Sequence, residues 1–171
     1  MKGRLLRLML VWWSLLALTG NAAPWPDVAF AEVRAFAWKQ DHHGPVVLPG
    51  GQVAPGALQP EGKLLSATQQ ERLLKAATRR FSQRPVSRCY VPHNAFIFYS
   101  KEGKPVASME ICFDCLGVRL WPEDAESDPD YVVLGEIFRE LKLPFGSVES
   151  IEKFRAKTKP ILGSSEPKPT E

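Results

Sequence analysis

Residues 89–115 read C-Y-V-P-H-N-A-F-I-F-Y-S-K-E-G-K-P-V-A-S-M-E-I-C-F-D-C, and the reading of this stretch decides the fold. Ala95 to Tyr99 and Val106 to Phe113 are rich in aromatic and β-branched residues and flank Lys101-Glu102-Gly103, the pattern of two antiparallel arms joined by a tight turn. Both arms are apolar on both parities, Phe96 and Phe98 against Ile97 and Tyr99, which predicts central strands covered on each side. The same stretch holds every cysteine of the chain: Cys89, Cys112 and Cys115.

The turn sets what faces what. A three-residue loop, Lys101-Glu102-Gly103 with Gly103 in the left-handed region, puts Cys89 opposite Cys115 and His93 opposite Ile111. A two-residue turn, Glu102-Gly103, puts His93 opposite Cys112 and Tyr90 opposite Cys115. Either register brings C-Y-V-P-H alongside C-F-D-C, with facing Cβ atoms roughly 4.5–5.5 Å apart.

Three chemistries fit such a cluster. A structural disulfide, Cys89–Cys115 or Cys89–Cys112, would staple the open end of the hairpin and leave one thiol over. A zinc or copper(I) site would use Cys112 and Cys115 with Cys89 and His93 as further ligands. Regular strands oppose that set, because Cys89 and His93 would lie roughly 13 Å apart and Cys112 and Cys115 would point to opposite faces. Pro92 and Gly117 allow both segments to leave extended geometry. Thiol–disulfide exchange at Cys112-Phe113-Asp114-Cys115 is the third; it lacks a helix N-terminus, and Glu110 and Asp114 nearby would raise a thiol pKa.

Working outward, Val28 to Lys39 alternates Glu32, Arg34, Phe36 and Trp38 with Val33, Ala35 and Ala37, which predicts a strand. Gln40 to Leu58 carries Gly44-Pro45, Pro49-Gly50-Gly51 and Pro55-Gly56 and reads as a long loop with one short strand at Val46-Val47-Leu48. His42-His43 in that loop is read as solvated rather than ligating, since only Asp41 lies close by. Ser66 and Gln69 have capping-box spacing before the stripe Leu73, Leu74 and Ala77, so Ser66 to Arg80 is expected to be a helix. Arg79-Arg80 suits the negative pole of that helix.

Leu116 to Trp121 reads as another short strand and Pro122 to Asp130 as an acidic loop, without the spacing of a calcium-binding loop. Asp128 or Asp130 is expected to cap a helix from Tyr131 to Leu141, ended by Pro144, and a last helix is expected from Ser147 to Lys157. The whole is read as an α+β fold: a small, mainly antiparallel sheet centred on the β-hairpin, packed by two or three helices.

The chain has 171 residues and a formal charge of +3. Lys2, Arg4 and Arg7 precede the apolar run Leu8 to Leu18 and the small residues ending at Ala23, the pattern of a signal peptide over residues 1–23. Its apolar core is shorter than the roughly 20 residues of a membrane span, and Asn21 stands where a lipidated cysteine would be needed, so no membrane anchor is expected after cleavage. Removing it takes three of 22 basic residues and none of the 19 acidic ones, leaving a neutral chain and no electrostatic case for nucleic acid. Residues 24–162 are read as a single domain and residues 163–171 as a disordered tail, in a periplasmic or secreted protein.

No phosphate loop, G-x-S-x-G elbow or H-E-x-x-H occurs, and Trp25, Trp38 and Trp121 are too scattered to mark a ligand surface. The expected function is therefore non-enzymatic, with the cysteine cluster as a staple and metal binding or thiol redox chemistry as alternatives. A protein or metal partner is not identified by the residues.

Cys89-Tyr90 with Pro92, the strand Ala95 to Tyr99, Gly103-Lys104 and Glu110 to Cys115 resemble a segment shared by small exported bacterial proteins of unknown function, C-Y/F-x-P followed by E-I-C-F-x-C. Leu65-Ser66 and Gln69 add weaker support. The resemblance covers residues 89–115 and implies a shared hairpin and thiol cluster.

Overall fold

The computed structural model describes residues 25–39, 44–77, 90–122, 129–147 and 150–162. The segments expected to form the signal peptide and the tail, the His42-His43 pair, Arg79-Arg80, Cys89 and Asp128 lie outside the described residues. In chain order the elements are β1 (Glu32–Ala37), β2 (Lys63–Leu64), α1 (Ala67–Ala77), β3 (Asn94–Tyr99), β4 (Pro105–Cys112), β5 (Gly117–Trp121), α2 (Tyr131–Glu140) and α3 (Ile151–Leu162). The strands form one antiparallel sheet in the order β2-β1-β3-β4-β5, and the fold is α+β.

The hairpin β3–β4 contains both registers that its sequence allows. Ser100 N–H donates to Lys104 O (2.8 Å) and Gly103 has φ 73°, the three-residue loop with glycine in the left-handed region. Tyr99 pairs with Pro105, but Phe98 pairs with Ala107, so Val106 is an extra residue in a bulge. Beyond it the pairing runs Phe96 to Met109 and Asn94 to Ile111, the register of the two-residue turn. The bulge thus rotates the outer half of β4 by one residue relative to its turn.

That register sorts side chains between two faces. Val33, Ala35, Phe96, Phe98, Met109, Ile111 and Leu120 face the helices and pack against Leu73, Leu134, Ile137, Phe138, Ile151 and Phe154. Phe113, at the end of β4, meets Phe138, Phe145 and Phe154 edge-on at 5.5–5.7 Å. On the opposite face Phe36, Trp38, Ala95 and Ile97 are covered by Val46 and Ala54 from the loop 44–58. Trp38 Nε1 donates to Ala54 O at 3.2 Å, which ties the cover down. The expected cover on both faces of the central strands is present, as helices on one side and loop on the other.

Val46-Val47-Leu48 does not form a strand. Val47 makes one bridge, to Val53, and Leu48 N–H donates to Gln52 O (2.8 Å) around Gly50 and Gly51, whose φ of 91° and 79° close the chain into a turn.

The helix starts follow local capping. Gln69 N–H donates to Ser66 Oγ (3.3 Å) and Ser66 N–H to Gln69 Oε1 (3.0 Å), the reciprocal capping box of α1. Asp130 Oδ1 accepts from Val132 and Val133 N–H, each at 3.2 Å, and starts α2. The last helix begins at Ile151, four residues later than Ser147, with Lys153 N–H donating to Ser150 Oγ at 3.2 Å. Ser147 lies outside this helix, its Oγ donating to Asp114 Oδ1 at 2.5 Å, and Ser150 takes the capping role.

Candidate functional site

The open end of the hairpin is built by a turn, residues 113–116, that joins β4 to β5. Cys112 pairs in register with Gly117 and is 2 % exposed, on the loop-covered face that Ser108 and Glu110 share with it. Phe113 drops into the helix-side core, Leu116 turns the chain back with φ 52°, and Cys115 is half-buried. A Cβ at Gly117 would stand 2.6 Å from Tyr90 Cδ2 and 3.4 Å from Cys115 Sγ. Tyr90 and Cys115 therefore converge on the one residue opposite Cys112, and only glycine leaves room for the ring.

His93 continues the ladder, its N–H donating to Ile111 O (3.3 Å) and its carbonyl accepting Trp38 N–H (2.8 Å). Its Nδ1 lies 4.0 Å from Asp114 Oδ2, with the ring mostly buried. Of the four residues proposed as metal ligands, Cys112, Cys115 and His93 thus sit at this end and Cys89 lies outside the described residues. Among the described residues no group of three or more His, Cys, Asp or Glu side chains is arranged to hold a metal ion. Cys112 and Cys115 are not bonded to each other.

A second polar cluster adjoins the thiols. Glu110 is 4 % exposed; its Oε1 accepts Val46 N–H at 3.0 Å, while its Oε2 accepts both Arg119 Nε (2.7 Å) and Arg119 Nη2. The guanidinium also lies over the Tyr90 ring, 5.6 Å from its centroid, and Tyr90 Oη donates to Glu110 O at 3.1 Å. Burial, and then the Glu110 charge, push the Tyr90 phenol well above its ordinary pKa, so it stays a hydrogen-bond donor. One carboxylate thereby holds the covering loop, β5 and, through Arg119, the chain before β3.

Beside this network the loop 45–51 and the outer face of β4 and β5 enclose an open groove of about 740 Å³. Ser108 lines it, 1 % exposed, with an Oγ that has no hydrogen-bond partner among the described residues. Trp121, paired with Ser108 across β4 and β5, lines it with 44 % of its surface open. Both Glu110 oxygens are occupied, so the cluster is suited to holding a shape rather than to taking a proton from Ser108. These residues were missed in the sequence, although the signal was there: Ser108 and Glu110 break the apolar run of β4 on a single parity.

No protein-family model, curated protein or solved structure matches the chain.

Proposed function

We propose that this is an exported, non-enzymatic protein of the periplasm or extracellular space, whose hairpin is stapled at its open end by a Cys89–Cys115 disulfide. The observation that carries this reading is the convergence of Tyr90 and Cys115 on Gly117. Cys89 directly precedes Tyr90 in the sequence, which supports Cys115 as its partner, whereas Cys112 is sealed in the sheet. Cys112 is then the thiol left over, buried as a small apolar side chain. The same turn supports a second reading, a soft-metal site, because residues 113–116 leave extended geometry and lift the objection that Cys112 and Cys115 must point apart.

Intact-mass analysis of protein purified from a bacterial periplasm, with alkylation under denaturing conditions, separates the two. The staple predicts a mass lower by two hydrogens, a linked peptide pair containing Cys89 and Cys115, and alkylation at Cys112 alone. Three alkylatable thiols, or a retained zinc or copper ion that protects all three until chelation, would overturn it.

A further inference from the structure

We propose that the groove beside Trp121 is a binding site for a small organic carboxylate with an apolar body. The inference goes beyond the cysteine staple and does not rest on it. Its first support is Ser108. A buried hydroxyl without a partner is costly, and the neighbouring Glu110 on the same strand face has both oxygens satisfied, so the unmet hydroxyl on the groove is a local exception that a ligand oxygen would resolve.

Charge selects the ligand's sign. Glu110 is neutralised by Arg119, and Lys104, exposed on the rim, pairs with no carboxylate among the described residues. The groove therefore presents one net positive charge, matching a monoanion. Arg119 adds directional donors: Nε and Nη2 are spent on Glu110, and the plane is held by Tyr90, so its remaining N–H groups are fixed without further ordering. Apolar walls select the body. Leu48, Pro105 and the half-open Trp121 indole line the groove, and about 740 Å³ is the size of a small-molecule site rather than a protein interface.

The test is a ¹⁵N–¹H titration of the mature protein with 3-phenylpropionate and with octanoate, each compared with its neutral amide. The expected result is saturable shifts at Gly51, Lys104, Ser108 and the Trp121 indole, with the carboxylates binding about tenfold tighter than the amides. Lys104→Gln, a surface change, is expected to weaken carboxylate binding several-fold and leave amide binding unchanged. Ser108→Ala is expected to weaken both while the protein remains folded. Absence of saturable binding by either carboxylate, equal affinity for acid and amide, or shifts centred elsewhere would each overturn the proposal. Should Ser108→Ala fail to fold, the acid-to-amide ratio in Lys104→Gln still decides it.

Discussion

Glu110 and Arg119 are unequal partners. The Glu110 side chain is 5 % exposed and that of Arg119 is 42 %, so the two halves of the pair stand to lose different amounts. Arg119→Met would leave an anion inside the sheet with only the Val46 amide to hold it, an expected loss of about 3 kcal/mol. Glu110→Gln leaves a guanidinium that can turn to water, an expected loss of about 1–2 kcal/mol. Urea unfolding of both variants near neutral pH checks the order, and a costlier Glu110→Gln would reverse this account. At Gly117 the constraint is steric. An alanine Cβ would meet Tyr90 at 2.6 Å, and that ring is pinned by its bonds to Glu110 and Arg119, so Gly117→Ala is expected to cost about 1–3 kcal/mol in the same measurement. The glycine was visible in the sequence only as a possible break in a strand, because the constraint on it comes from the ring of Tyr90, a residue distant in sequence and not its ladder partner Cys112.

Between elements, α1 and α2 are clamped by one arginine. Arg72 donates to Glu140 (2.6 Å) and Glu136 (3.0 Å), and Gln69 adds a bond to Glu140 at 3.1 Å. The hydrogen bond from Arg72 holds the Glu140 carboxyl below its ordinary pKa. A carboxyl with a folded pKa below its unfolded one contributes stability above the ordinary carboxylate range and loses it as pH falls through the depressed value. Both side chains are about one-third exposed, so solvent screening limits the term to about 0.5 kcal/mol. Arg72→Met is expected to flatten the acid limb of a plot of urea midpoint against pH by about that amount; an unchanged acid limb would remove the clamp from the explanation. Much at this scale was legible: the box at Ser66 and Gln69, the alternation of β1, the Asp130 cap and the strand after Cys115 all follow from residues that act on neighbours a few positions away. What was not legible depends on distant claims. Ser147 resembles a helix cap until Asp114 takes it, and the bulge at Val106, which lets both hairpin registers coexist, has no turn residue to announce it.

Across the whole molecule the sheet is a wall between two apolar clusters, with Trp25 in one and Trp38 in the other. The loop-side cluster has no regular secondary structure of its own in its cover, yet Val46 is fully buried there. If the cover is part of the cooperative unit, fluorescence from a variant retaining Trp38 as its sole tryptophan and far-UV circular dichroism should follow one unfolding curve. Val46→Ala should then shift both together by about 2 kcal/mol. A Trp38 signal that melts early would show the loop to be a separate, weaker unit. The polar cluster on this face was the least legible part of the chain, because its value lies in a loop from residues 45–51 being laid across strands that come some sixty positions later. Its central bond offers a direct clock on that packing. The amide proton of Val46 is held by a carboxylate rather than by a ladder, so its exchange with deuterated solvent can proceed only when the loop lifts from Glu110. The rate at that one amide therefore reports how often the groove opens, while the amides of β3 and β4 report the breathing of the sheet beneath it.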